Sequence, residues 1–301
     1  MGQSTEADYL VIGAGSAGCV LANRLTENNE NTVTLVEAGG PDRWWNWKVH
    51  MPSALAYPLA DNKYNWAYFS EPEKHLDGRR MYCPRGKIWG GSSSINGMAY
   101  VRGHALDYER WSLVSGCEGW SYSECLPYFK KAESIDIGGD DYRGGVGPLQ
   151  VTAGKMENPL YRAWIDAGRQ AGYPVTGDPN GYQQEGLGRM DMTVGCGRRS
   201  SAAQAYLRPS LKRKSLKILS NTLVTRILIE GKRAVGVEIF KNGVTQKIFA
   251  AKEVILCAGA ISTPQILMLS GIGPIDHLRG MGINIKHDLP GVGLNLQDHL
   301  E

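Results

Sequence analysis

The hexapeptide Gly13-Ala14-Gly15-Ser16-Ala17-Gly18 restricts the possible folds of this chain more than any other feature. It follows the apolar run Tyr9-Leu10-Val11-Ile12, which suits a buried parallel strand. After it, Cys19, Val20, Ala22 and Leu25 recur at helical spacing until Asn28-Asn29. Thr32–Val36 reads as a second strand and ends at an acid, Glu37. This order is a strand–turn–helix–strand unit built to bind a dinucleotide. Gly13 permits the tight turn, Gly15 lets a pyrophosphate approach the backbone, and Gly18 lets helix and strand pack closely. Unpaired N–H groups at the helix start, with the helix dipole, favour an anion there. Ser16, Ala17 and Ala38 join the candidate contacts. Glu37 is placed to accept bonds from a ribose diol, and its charge opposes a 2′-phosphate.

The fingerprint alone does not separate FAD from NAD. Two distant features favour FAD. The apolar strand Glu253–Cys257, ending at Ala258-Gly259, reads as a late return to the same sheet. A second Gly/Ser-rich loop, Gly86–Asn96, is suited to lining a long, partly buried cofactor.

Composition removes other classes. With 33 Lys+Arg against 30 Asp+Glu, the charge of +3 gives no case for a nucleic-acid partner. The cluster Arg208, Lys212, Arg213, Lys214 and Lys217 is expected to be a solvated face. Six cysteines without a CxxC or a metal-like pairing with histidine read as reduced, small buried residues, with no metal site. The uncharged stretch Val254–Ile275 is long enough to span a membrane, but Gly259, Pro264, Gly271, Gly273 and Pro274 interrupt it. A strand, a glycine turn and a helix over Thr263–Leu269 are expected instead, with no transmembrane span. No transit, signal or myristoylation pattern is expected, since there is no arginine before Arg24 and position 6 is Glu6.

Further along, Asp136–Gly147 reads as a surface loop or boundary. Asn158-Pro159 should cap a helix with Leu160, Trp164, Ala167 and Ala171 on one apolar face. Val224–Ile229, Ala234–Phe240 and Val244–Phe249 read as consecutive strands, with Asn242-Gly243 as a hairpin turn.

Three stretches in this order resemble one family. Gly86-Lys87-Ile88-Trp89-Gly90-Gly91-Ser92-Ser93-Ser94-Ile95-Asn96 is similar to the first signature of the glucose–methanol–choline (GMC) flavin oxidoreductases. Gly259-Ala260-Ile261-Ser262-Thr263-Pro264-Gln265-Ile266-Leu267-Met268-Leu269-Ser270-Gly271-Ile272-Gly273 is similar to the second. With the N-terminal fingerprint they run across nearly the whole chain. Within the family, Asp61–Trp66, Ala99–His104, Asp107–Trp111, Asn180–Gly186, Met190–Thr193 and Asn295–His299 resemble the branch that oxidises choline to betaine aldehyde.

The resemblance implies an α/β fold: a Rossmann-like FAD/NAD(P)-binding domain in discontinuous segments, with an inserted α+β substrate domain truncated at the C-terminus. The expected division is 6–150 and 223–280 for FAD binding, with 151–222 and 281–301 as segments of the substrate domain. It implies contacts to FAD from Gly13, Gly15, Gly18 and Glu37, from Trp89, Gly90, Gly91, Ser92 and Asn96, from Gly97, Met98 and Ala99, and from Val224, Ala258 and Gly259. Where some relatives tether the flavin through a histidine, this chain has Ile95, so the FAD should be noncovalent. Glu301 would face the trimethylammonium group of choline or of a related small alcohol. The implied electron acceptor is a respiratory-chain carrier, and the implied location is the mitochondrion, associated with the inner membrane.

The resemblance also implies a departure. The family's catalytic histidine falls beyond residue 301, so no catalytic residue is assigned. His50, His75, His104, His277, His287 and His299 read as structural or solvated, and the chain alone is expected to be inactive. Alternatives are another GMC alcohol or sugar dehydrogenase and a non-catalytic FAD-binding product. Trp44, Trp45, Trp47 and Trp66 offer a cage for a quaternary ammonium, with core or lid packing the favoured reading.

Overall fold

The computed structural model describes residues 6–298; His299 and Glu301 lie outside them. Strand β1 (Glu6–Ile12) carries the first apolar run, and Leu10, Val11 and Ile12 are buried. Helix α1 (Ser16–Leu25) follows, then β2 (Val33–Val36), β3 (Leu216–Leu219), β4 (Leu223–Glu230), β5 (Arg233–Lys241), β6 (Val244–Leu256) and helix α2 (Gly259–Leu269). The six strands form one sheet in the order β4-β5-β6-β1-β2-β3. β1 sits inside it, parallel to β2 on one side and to β6 on the other. A strand buried on both faces and paired on both edges needs an unbroken apolar sequence, as Leu10–Ile12 supplies.

The two expected strands Val244–Phe249 and Glu253–Cys257 are one strand. Ala250-Ala251-Lys252 contains no breaker, so β6 continues for 13 residues. Its first half pairs antiparallel with β5 and its second half parallel with β1; Phe249 is paired on both sides, to Gly236 and Glu6. At the Asn242-Gly243 turn both residues have positive φ, 51° and 80°, as a two-residue hairpin loop demands. Ile12, Val36, Val224, Val237, Ile239, Ile248 and Ile266 pack into the apolar core of this sheet.

The chain forms two compact units. The first contains 6–49, 56–95 and 202–298 of the described residues; the second contains 50–55 and 96–201. The segment 96–150, expected with the dinucleotide site, thus groups with 151–201, and 202–222 and 281–298 group with the sheet. Charge explains the first difference. Arg143, buried within the expected surface loop, makes ion pairs with Glu133, Asp178 (2.7 Å) and Asp191 (2.8 Å). Arg102 reaches Glu133 at 2.5 Å and Arg189 reaches Asp191 at 3.0 Å. These side chains tie 102, 133–143 and 178–191 into one ionic core. Pairing explains the second: β3 pairs with β2, Asn23 Nδ2 donates to Tyr206 O at 2.7 Å, and His287-Asp288 pairs with Ile272-Gly273 just after α2.

Other expectations need correction. Asn158 does cap the helix Pro159–Gln170, accepting from Leu160 N at 2.9 Å. Its four apolar residues, however, are all exposed, with Leu160 at 75% and Trp164 at 65%. The helix seats through Gly168 instead, where any Cβ would overlap Leu187. In the basic cluster, Arg208 pairs with buried Asp42 and Arg213 donates to Thr26 Oγ1 at 3.0 Å, so only the lysines are solvated. All six thiols are free, but only Cys19 and Cys125 are buried; Cys83, Cys117 and Cys257 are partly exposed and Cys196 is exposed. Trp44, Trp45 and Trp47 are at least half exposed and form no core. Val254–Ile275 folds as strand, turn and helix, and no helix among the described residues is long and apolar enough to cross a membrane.

Replacing Arg143 by Met would leave Glu133 and Asp191 buried without their principal counter-charge. We expect a loss of about 3–5 kcal/mol, the usual effect of breaking a buried pair from one side. Urea unfolding checks it; a loss below about 1 kcal/mol would contradict the ionic-core account.

Candidate functional site: a dinucleotide cavity

The C-terminal ends of β1, β2 and β6 open into a cavity of about 870 Å³. This is where ligands bind in sheets of this kind. Two helices begin at its wall. The N-cap of α1, Gly15, has no side-chain cap, and the first turn holds no acid. The N-cap of α2, Ala258, is likewise uncapped, with no acid in its first turn. The N–H groups of a first turn lack intrahelical partners. Both helices therefore present unsatisfied donors and a positive dipole end towards one space, a setting suited to an anion.

Glycines keep that space open. Gly13 has φ +97°, and a Cβ there would lie 2.6 Å from Cys257 O. A Cβ on Gly18 would overlap Gly13 O, so this residue serves the packing of α1 on β1 and does not line the cavity. Gly15 differs: the nearest atom to its Cβ position is Cys257 O at 3.9 Å. Only the cavity side has a reason to exclude a side chain there. The second glycine loop docks directly on the first. Gly90 N donates to Ala14 O at 2.7 Å, and a Cβ on Gly91 would sit 2.7 Å from Gly15 Cα.

Glu37 ends β2 beside this junction and is buried. Its two oxygens accept from Ala14 N (2.8 Å) and Gly39 N (2.7 Å). The carboxylate thus shapes the first loop as well as lining the cavity, a role its position in the sequence did not reveal. Burial pushes its pKa from 4.5 up to about 7, against the two N–H donors and the charge of Lys87.

Of the residues expected from sequence, Gly13, Gly15, Ser16, Ala17, Glu37, Ala38, Gly91, Ser92, Val224, Ala258 and Gly259 line the cavity together. Trp89 and Gly90 do not; they support the loop from behind, Trp89 Nε1 donating to Ser220 Oγ at 2.9 Å. Asn96, Gly97, Met98 and Ala99 belong to the second unit. There Asn96 accepts from Arg199 Nη1 and from Met98 N, and buried Met98 has φ +64°. Glu301 lies outside the described residues. Ile95 is buried with Val49, Tyr64 and Ile88. Sequence reasoning missed Tyr68, Arg85 and Thr222 as lining residues; Trp66, for which core or lid packing is favoured over a cage, also lines this wall. No local pattern marks them.

The GMC oxidoreductase family profile matches residues 7–301. The chain belongs to the GMC oxidoreductase family. It is 56% identical over 301 residues to the choline dehydrogenase, mitochondrial, of Homo sapiens, covering 98% of this chain and 50% of that protein. It is 57% identical over 298 residues to an oxygen-dependent choline dehydrogenase of Pectobacterium atrosepticum, covering 98% and 53%. The chain thus spans about half the length of the curated relatives it matches. Among solved structures, pyridoxine 4-oxidase from Mesorbium loti superposes with a TM-score of 0.89 at 35% identity, over 94% of this chain and 55% of the other. A formate oxidase superposes at 0.85 with 28% identity, over 95% and 51%. GMC oxidoreductases are FAD-binding flavoproteins, and the Rossmann-like fold expected from sequence is the fold observed. The cavity fits that cofactor: two uncapped helix starts and bare backbone for phosphates, and a buried carboxylate for a diol. Position 95 offers no imidazole, in keeping with noncovalent FAD.

Three variants test this GMC site. Because the folded state holds the Glu37 proton more tightly, the stability this residue contributes is full below about pH 4.5 and lost by about pH 7. In the cofactor-free protein, Glu37→Gln should flatten that part of the pH–stability curve, and an unchanged slope would contradict the assignment. Gly18→Ala should destabilise the fold. Gly15→Ala should leave cofactor-free melting within about 2 °C while weakening FAD binding at least tenfold by titration.

Proposed function

We propose that the whole protein is an FAD-dependent alcohol dehydrogenase that oxidises choline to betaine aldehyde. The observation that carries the reading is the meeting of the two glycine loops over an anion-binding, diol-binding cavity. The choline part rests on likeness to relatives named choline dehydrogenase in mammals and bacteria.

Gly13, Gly15, Ser16 and Ala17 would hold the pyrophosphate against the first turn of α1, with Gly91 and Ser92 on its other side. Glu37 would accept the ribose hydroxyls, and Ala38 and Val224 would flank the adenine. Ala258 and Gly259 would bring the second helix dipole to the same charge. Trp89 and Gly90 would act through the loop they brace. FAD, when bound, supplies the acceptor for the hydride lost from the alcohol carbon. Asn96, Gly97, Met98 and Ala99 are assigned to the cofactor by resemblance, as is Glu301 to the quaternary ammonium, whose fixed charge calls for a carboxylate or an aromatic wall. We take the compartment to be the mitochondrion, as the names of the human and mouse relatives suggest, and the acceptor to be a respiratory carrier on the family resemblance alone.

With the full-length protein under anaerobic conditions, choline should bleach the flavin absorbance while glucose leaves it unchanged. Bleaching by glucose alone would replace the choline reading with a sugar dehydrogenase. Reoxidation should be faster with a quinone than with dissolved oxygen, and the reverse order would overturn the acceptor assignment.

A further inference from the structure

Two aromatic residues on the cavity wall, Trp66 and Tyr68, were not among the residues expected to contact the cofactor. Trp66 and Tyr68 stack with ring centroids 5.9 Å apart and planes 5° from parallel, and Lys87 Nζ lies 4.8 Å from the centre of the Trp66 ring. Both line the same cavity as Gly15 and Gly91. Tyr68 begins a two-residue strand, Tyr68–Phe69, paired with Tyr82–Cys83, so the wall is a small hairpin.

The hairpin is held unevenly. Its base is fixed by buried Asn65, whose Oδ1 accepts from Ala67 N (3.0 Å) and Arg85 N (2.8 Å), and whose Nδ2 donates to Leu59 O (2.8 Å). These bonds hold Ala67 at φ +53°, a left-handed conformation that alanine adopts only when its surroundings impose it. Across the cavity, one hydrogen bond among the described residues ties the hairpin to the first turn of α2: the Tyr68 and Ser262 hydroxyls, 3.2 Å apart. The Tyr82 hydroxyl, donating to Leu59 O at 2.6 Å, holds the paired strand as well, so breaking the Tyr68–Ser262 bond frees the Tyr68 side chain rather than the whole wall.

We propose that Tyr68 and Ser262 form a latch across the dinucleotide cavity, and that the cofactor enters and leaves when it opens. The inference rests on the reading of this cavity as the FAD site. The bond joins two wall side chains and does not involve the cofactor, so it opposes entry and exit alike. It therefore sets the rate of exchange and leaves the affinity unaltered.

The test uses the full-length protein, with FAD release and rebinding followed by flavin fluorescence in the parent, Tyr68→Phe, Ser262→Ala and the double variant. Phenylalanine keeps the ring for stacking on Trp66 and removes only the hydroxyl. Loss of one uncharged hydrogen bond should raise the association and dissociation rates together by roughly three- to tenfold, with Kd constant within about twofold. The double variant should be no faster than either single one, because both break the same bond. Cofactor-free melting should fall by no more than about 4 °C, the cost of one uncharged hydrogen bond. Unchanged rates would overturn the latch, as would faster dissociation with a weakened Kd, the mark of a direct contact, or single effects that multiply in the double variant. Failure of the underlying reading looks different: Gly15→Ala would keep FAD as tightly as the parent, which removes the ligand from the cavity and overturns the latch with it.

Discussion

Two stretches of backbone meet here with no side chain between them. Gly91 packs on Gly15 Cα, and Gly90 N bonds to Ala14 O. This contact is possible because Gly91 lacks a Cβ, which would press on Gly15 Cα; the Cβ position of Gly15 itself meets nothing closer than Cys257 O at 3.9 Å. The contact fixes the second loop over the start of α1, where main-chain N–H groups have no partner within the helix. Glu37 completes the arrangement by accepting from Ala14 N, so the residue suited to grip a sugar also shapes the turn that receives the phosphates. The binding site is thus mostly main chain, and its specificity lies in what has been left out.

The surrounding fold serves this junction. β1 must be buried on both faces to bring the Gly13 turn to the sheet's end, and β6 delivers Cys257 and Ala258 to the same point by extending through both halves of the sheet. The second unit is organised on another principle. Its centre is Arg143 among Glu133, Asp178 and Asp191, with Arg102 and Arg189 balancing the acids. Charges taken from water need partners in good geometry, and here each fork of Arg143 has one. Such a core holds its segments in one arrangement through directional bonds rather than through apolar area.

What was legible in the sequence was local. The Gly13–Gly18 turn, the Asn242-Gly243 hairpin and the Asn158-Pro159 helix start each depend on a few adjacent residues, and each lies where expected. The cavity side of Gly15, Ala38, Ser92 and Val224 was also legible, because the resemblance supplied the distant segments. Long-range partners were not. Nothing beside Arg143 announces that it will be buried among acids up to 48 residues away, so its loop read as surface. The face Leu160–Ala171 has apolar spacing, yet Gly168 decides which side packs. Tyr68 and Ser262 are 194 residues apart and meet only in the folded chain.

The central claim is that bare backbone at the loop junction, rather than any side chain, holds the flavin dinucleotide. The most direct measurement is the FAD content and FAD dissociation constant of the full-length protein carrying Gly91→Ala, whose new methyl group would press on Gly15 Cα. The account predicts protein isolated largely colourless, with the dissociation constant raised at least tenfold (about 1.4 kcal/mol or more). A full complement of FAD bound as tightly as in the parent would contradict it.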